Sequence, residues 1–420
     1  MSSHIESFDD PRQQGKCTYT LHDTVMSAFA CMYFQDPSLV QFQKRLERKY
    51  QRSNLNTLFR IKETPKDNQM KDILDTIDSE CFAPVFKDYF ERLRRHHHLQ
   101  SFEVLPGKLL CAIDGTQYHS SKSVHCDGCL TKQHRNGEIT YNHAVLQGAI
   151  MHPSQRQVIP VMPEAIKNTD GAKKQDCEMN AAKRFVKRLK KAHPRQSFII
   201  CGDGLMSKQP LIESTLAEGF SFLFMAKKDD HKYLYDWLAA YESLSSQSYT
   251  DEKDVTHQFS WQNDVPLHGG EKSIHVNYLE YRQIKKGKQT YLGSWVSDIE
   301  INKDNVIALA KAGRCRWKIE NECFNSLKNQ GYEVEHNYGH GHENLSYNMY
   351  LLTLLAFFYH QIFELTDGAY QQCRQEYGSK RFLWENFRVT IRYVLFDSWA
   401  DLMTHLLTDH EITEEAYYRP

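Results

Sequence analysis

KLLCAID (residues 108–114) and SFIICGD (residues 197–203) share one design: an unbroken apolar run, then an aspartate, then glycine at the next position. A short apolar run closed by a turn signal predicts a strand buried on both faces. An Asp-Gly pair at such a place is ordinarily just a turn. Outward from these two stretches, NHAVLQGAIMH (142–152) and QVIPVMPE (157–164) predict two more strands, with His152-Pro153-Ser154 opening the turn between them. A long basic helix, DCEMNAAKRFVKRLKKA (176–192), precedes SFIICGD, and a second helix, QPLIESTLAEGF (209–220), precedes the strand SFLFMAK (221–227).

Three strands, helix, strand, helix, strand is the order of an RNase H-like α/β domain. In that fold three antiparallel strands are extended by two parallel ones, giving a mixed five-stranded sheet with flanking helices. Around it, residues 1–105 read as a helical N-terminal region, with helical spacing in Val25-Met26-Phe29-Met32-Tyr33 and in Ile73-Leu74-Ile77. Its basic stretches at 43–52 and 91–98 are either solvated helix faces or contacts to a DNA backbone. The first part of the core spans 106–228. Residues 229–300 have β texture (HQFSWQ, SIHVNYLEYRQI, QTYLGSWVS) and predict an inserted β-rich subdomain. Closing helices are expected over 301–365 and a helical tail over 366–420.

The chain has 420 residues, with Lys+Arg 52 against Asp+Glu 53, so no global excess of positive charge points to nucleic acid and any such partner has to be argued locally. Its 40% hydrophobic and 25% charged residues suit a globular protein of two or three domains. The apolar run Met349 to Tyr359 falls short of the roughly 18 residues a membrane span requires, so no membrane association is expected. MSSHIESFDDPRQQ at the start carries no secretory pattern, and 11 cysteines, an odd number, favour reduced thiols in a cytosol. Phosphate loops, dinucleotide-binding glycine motifs, GxSxG elbows and HExxH pairs are absent from the sequence.

Asp114 and Asp203 close the first and fourth strands of the expected order, which are neighbours there, so their carboxylates are expected to share a metal ion. A third carboxylate is expected from the helix after the insertion. At about 100° per residue, Glu320 falls on the apolar face with Cys323, Phe324 and Leu327, whereas Glu322 falls with Lys318, Asn325 and Ser326. A carboxylate on an apolar face needs compensation by a metal or by a partner such as Arg316. Three carboxylates with few other donors imply Mg²⁺ or Mn²⁺, two ions to a site, and metal-assisted phosphoryl transfer. Arg316 and Lys328 would then fit contacts to a phosphate backbone.

AIDGTQYHSSKSVHC, CGDGL and RWKIENECFNSLKNQGYEVEHNYGHG, with NLNTLFRIKETPKDNQMKDIL and TYNHAVLQGAIMHPSQRQVIPVMPE, resemble bacterial insertion-sequence transposases of the DDE type. The resemblance is to the cut-and-paste group with a β-rich insertion before the catalytic glutamate. It implies catalytic and metal-binding roles for Asp114, Asp203 and Glu320, cleavage at transposon ends, and strand transfer into target DNA. It further implies double-stranded DNA as partner, a homodimer in the synapsed state, and a place in the bacterial cytoplasm with the nucleoid. A nuclease or resolvase that cuts without joining, and an inactive transposase-derived DNA-binding protein, are the rival readings. Two positions depart from that group: Gly313 stands where a tyrosine precedes the arginine, and Leu327 where a lysine follows the glutamate, with Lys328 one place on.

His125, Cys126, Cys129 and His134 have ligand types and spacing for Zn²⁺; the bland alternative is surface thiols and loop histidines. His336, His340 and His342 read as hydrogen-bonded histidines of a loop. Lys183, Arg184, Lys187 and Arg188, with Lys190 and Lys191, make the basic helix a candidate for DNA-backbone contact. Lys227-Lys228 and Lys285-Lys286 are weaker candidates of the same kind.

Overall fold

A computed structural model describes residues 1–168, 176–241, 243–336 and 338–408, so the end of the expected tail, 409–420, lies outside the described residues. The chain divides into two compact units: Met1–Tyr89 with Gln117–His143 and Asn325–Pro420, and Phe90–Thr116 with Ala144–Phe324.

The first unit is mainly helical. Its elements are α1 (Ser2–Ile5), α2 (Leu21–Tyr33), α3 (Leu39–Leu46), α4 (Lys49–Phe59), α5 (Asp67–Asp75) and the greater part of α6 (Ala83–Arg95). Segments of the expected N-terminal region, closing helices and tail pack together here. Thr20 caps α2 by accepting the Asp23 N–H at 2.9 Å. Every residue of α2 except His22 is buried, Asp23, Thr24 and Ser27 included, so the helix lies inside the core of this unit.

The same unit receives the far end of β2 (Lys108–Ser121), then β3 (Leu130–Gln133) and the start of β4 (Ile139–Met151). β3 and β4 form an antiparallel hairpin in register Leu130↔Asn142 to Gln133↔Ile139. The expected strand 142–152 therefore begins earlier, and the expected strand 108–114 runs on to Ser121.

In the second unit the short β1 (Glu103–Leu105) pairs with β2, and β5 (Ile159–Pro160) and β6 (Glu164–Ile166) both pair antiparallel with β4. α7 (Glu178–Ala192) leads to β7 (Ser197–Gly202), and α8 (Gln209–Ala217) to β8 (Ser221–Met225). β7 runs parallel to both β2 and β8. The sheet is thus mixed and the fold α/β, with β4, β2, β7 and β8 in consecutive positions.

After α9 (Lys232–Ala239) come β9 (Ser245–Thr250), β10 (Val255–Pro266), β11 (His275–Lys285) and β12 (Lys288–Ser297). The 229–300 region does not stand apart from the sheet: β12 pairs antiparallel with β8, and β11, β10 and β9 follow outward. Sequence texture shows that a segment is β-rich, but not which edge it will pair with.

α10 (Val306–Cys315) packs on this extension and on β8. Gly313 makes that approach possible, since a Cβ there would stand 2.5 Å from the fully buried Trp295 ring. A tyrosine could not occupy the position. α11 (Asn325–Asn329) and α12 (Leu345–Thr366) return the chain to the first unit, followed by α13 (Gly368–Glu376), α14 (Lys380–Tyr393) and α15 (Trp399–Thr408). α12 packs on α2 and α5, and no helix among the described residues is long and apolar enough to cross a membrane.

Candidate carboxylate centre

Parallel pairing of β2 with β7 sets Ala112 opposite Cys201. Asp114 and Asp203 each lie two residues further along, so the two aspartates stand at the same level. Asp203 is just past the end of β7, but Asp114 lies within β2, which does not close there as expected and runs on to Ser121. The carboxyl end of a parallel strand, where Asp203 lies, is where α/β sheets present ligand-binding groups. Asp203 forms a local turn, its Oδ1 accepting the Leu205 N–H at 2.9 Å.

Arg316, at the end of α10, links the other two expected positions. Its Nη1 lies 3.3 Å from Asp114 Oδ2, and its Nη2 donates to Glu320 Oε1 at 2.8 Å. Burial pushes the Asp114 carboxyl up to about 6 against the pull of Arg316, and the charges of Asp203 and Glu320 add to the rise. These side chains therefore feel one another.

Glu320 is not on a buried face, as the helical spacing predicted; its side chain is 53% exposed. The reason is local. α10 ends at Cys315, Arg316 and Trp317 form a turn, and Ile319–Phe324 is a π-helix. That changes the rotation per residue, so a single α-helical wheel drawn through Trp317 loses phase. Trp317 is exposed, while Lys318 is buried and donates to the carbonyl oxygens of His152 and Pro153 at 2.9 and 3.2 Å.

A fourth carboxylate joins the site unforeseen. Glu178, in the first turn of α7, packs against β2 at Gly115, where an added Cβ would stand 2.1 Å from its Oε1. Burial first, and the charge of Asp203 second, raise its pKa. The small residue after Asp114 was the signal, although glycine there also reads as a turn.

Oxygen donors of this kind fit Mg²⁺ or Mn²⁺ in chemical type. Burial, with the repulsion of Asp203 and Glu320 added to it, holds Asp114 up, and a divalent cation would favour the charged carboxylate. Their oxygens are not gathered into a ready coordination shell, however. Among the described residues, the group with ligand atoms all within 4.8 Å of one another is Cys126, Cys129, His143 and His340.

That group corrects the expected zinc set. His125 is exposed and stacks on Tyr141 with ring centroids 4.2 Å apart, and His134 sits at the hairpin turn with Nε2 3.0 Å from Thr140 Oγ1. The hairpin register carries His134 away from the cysteines and brings His143 back opposite Cys129. His340, read as a loop histidine, is 9% exposed and completes the group.

Several expected DNA contacts are occupied within the protein. Arg184 and Arg188 hold the two oxygens of buried Glu164 at 2.7 and 3.0 Å, and Arg184 also pairs with Asp176 at 2.6 Å. Lys328 pairs with Glu335 at 2.7 Å. Lys187 is exposed and Lys183 half-buried on the same helix.

No protein-family model matches this chain, and no curated protein matches it.

Proposed function

We propose that the second unit is an RNase H-like catalytic core and that the chain is a DNA transposase of the DDE type. On this reading it cleaves phosphodiesters at transposon ends and transfers the freed 3′ ends into target DNA. The observation that carries the proposal is the level placement of Asp114 and Asp203 on adjacent parallel strands, with Glu320 coupled to Asp114 through Arg316. Asp114, Asp203 and Glu320 would hold two Mg²⁺ or Mn²⁺ ions, with Glu178 beside them. When bound, the metal supplies Lewis-acid stabilisation of the charge that develops on phosphate oxygens.

The protein's own groups do the positioning. The paired strands fix the two aspartates, and Arg316 bridges Asp114 and Glu320, offsetting one of their two charges, until DNA enters. A swing of Arg316 toward a phosphate would release both carboxylates together. Lys318 anchors the first turn of the π-helix to the His152–Gln155 turn, so Glu320 projects from a fixed base. The exposure of Glu320 leaves room for a duplex to approach. The partners are double-stranded DNA and a second copy of the chain in the synapsed state, in the bacterial cytoplasm at the nucleoid.

Asp114→Asn tests the proposal. It is expected to abolish Mg²⁺-dependent cleavage of element-end DNA while the circular dichroism spectrum and DNA binding are kept; retained cleavage would reject the site. Pre-cut ends offered to the wild-type chain separate a transposase, which joins them to target DNA, from a nuclease, which does not.

A further inference from the structure

We infer that Cys126, Cys129, His143 and His340 form a closed structural zinc site in the first unit, independent of the chemistry at Asp114. Tetrahedral zinc with bonds of about 2.3 Å to sulfur and about 2.05 Å to nitrogen has ligand-to-ligand edges of about 3.8 Å for S–S, 3.6 Å for S–N and 3.3 Å for N–N. The two Sγ atoms are 4.0 Å apart. His143 Nε2 lies 3.6 Å from Cys126 Sγ and 3.4 Å from Cys129 Sγ. His340 Nε2 lies 3.4 Å from Cys129 Sγ and 3.1 Å from His143 Nε2. Five edges of one tetrahedron are matched to within a few tenths of an ångström, by atoms from three separate segments.

The surroundings are built for ligation. His340 Nδ1 lies 2.8 Å from the Gly341 carbonyl oxygen, which can only accept. The Nδ1 therefore carries the proton, and Nε2 presents its lone pair to the centre of the group. The Cys126 N–H points at Cys129 Sγ from 3.5 Å, and the Cys129 N–H donates to the Cys126 carbonyl at 3.1 Å, so the Cys-x-x-Cys segment is folded into a knuckle. The loop that delivers His340 is held by Asp75, whose carboxylate accepts the N–H groups of His342, Glu343, Asn344 and Leu345 at 2.8 to 3.1 Å. Gly341 has φ +69°, and a Cβ there would meet Asp75 Oδ1 at 2.4 Å, so glycine is needed beside the ligand.

Ligand chemistry selects the ion. Two thiolates and two neutral imidazoles in tetrahedral array suit zinc rather than Mg²⁺ or Ca²⁺. With Zn²⁺ the set carries no net charge, which suits Cys129, His143 and His340 in their buried positions. All four coordination positions are filled by protein, so the site is structural. It fastens the β3–β4 hairpin to the loop before α12, segments about 200 residues apart in the chain.

The full chain, purified without added metal and analysed by mass spectrometry for elements, is expected to carry one zinc per chain. A cobalt-substituted sample is expected to show the intense visible absorption of a tetrahedral thiolate site. Cys126→Ser with Cys129→Ser is expected to lose the zinc, and His125→Ala with His134→Ala to keep it. His340→Cys, which still offers a ligand, covers the case in which loss of the cysteines prevents folding; it is expected to retain zinc with a sulfur-rich cobalt spectrum. Failure of the reduced wild-type chain to take up zinc even from solution, a weak octahedral cobalt spectrum, or zinc loss on removing His125 and His134 would overturn the assignment.

Discussion

The carboxylate centre and the cysteine–histidine group solve opposite problems, each by joining side chains at or near neighbouring strands to one from a segment much further along the chain. At the first, Asp114 and Asp203 are fixed by strand pairing, but Glu320 lies on an exposed π-helical turn with its charge tied to Arg316. At the second, the four ligand atoms already lie within 4.8 Å of one another and three of the four residues are buried. A site that exchanges substrate has to leave coordination space and tolerate charge repulsion. One that only holds the fold gathers its ligands and closes. The contrast predicts that disturbing the first costs activity without stability, and disturbing the second costs stability.

The largest effect expected is at Asp114. Replacing it with asparagine removes a charge on which both proposed ions depend, and the cleavage rate should fall by about 10³-fold or more, a scale typical of losing a primary electrostatic stabiliser. The midpoint of thermal unfolding should rise slightly or stay level, because losing a buried charge relieves its desolvation and the repulsion of Asp203 and Glu320, against the lost attraction of Arg316. A marked fall in that midpoint would show that Asp114 holds the fold and would erase the contrast.

Stripping the zinc is the mirror experiment. At free zinc about 1,000 times its dissociation constant, metal binding to the folded state alone adds about 4 kcal/mol. Chelation should therefore lower the unfolding midpoint by several degrees, with the loss concentrated in hydrogen-exchange protection of the β3–β4 hairpin and the 338–345 loop. Unchanged protection in those segments would show that hairpin pairing and the Asp75 clamp suffice by themselves.

How far each site was legible follows from the range of the forces that build it. Asp114 and Asp203 stand out because buried strands require apolar runs, and a charged residue ending such a run is visible within seven letters. The strand neighbours they need follow from the order of elements. Cys126 and Cys129 were legible for the same reason, being local. His340 was not, because what makes it a ligand is the Asp75 clamp some 270 residues earlier in the chain. Glu320 was found as a residue but given the wrong environment, since nothing in RWKIENECF signals that the helix leaves α geometry at Arg316. Glu178 was missed because its neighbour at Gly115 is contributed by a different element.

Glu178→Gln offers a finer probe of the carboxylate centre. If Glu178 tunes the site beside Asp203 instead of carrying the reaction, the substitution should reduce cleavage by about 10- to 100-fold, the usual cost of losing a supporting group around a metal. The loss should be partly recovered at higher Mg²⁺, read from a metal titration of the cleavage rate. A loss as large as that of Asp114→Asn, with no recovery, would promote Glu178 to a full partner.

The smallest effect separates the first unit's ligating histidines from one that only packs. His360, on α12, is 2% exposed, stacks on Trp384 with centroids 4.0 Å apart, and shares a 2.6 Å hydrogen bond with the Tyr332 hydroxyl. Burial holds its pKa well below the usual 6.5, so the folded chain keeps it neutral where the unfolded chain takes up a proton. For a group depressed on folding, the unfolded state binds more protons as pH falls below 6.5. Stability is then full above that pH and declines on acidification, by up to about 1.4 kcal/mol per pH unit, until the folded form titrates as well. In His360→Phe this component should vanish: stability at pH 7 drops through the lost hydrogen bond, but the slope of stability between pH 6 and pH 5 becomes shallower by up to one proton. Urea unfolding of both proteins at several pH values and one zinc concentration reads the difference in slope, since proton uptake by the cysteine–histidine group is common to the two. Parallel slopes would show that His360 is protonated in the folded chain.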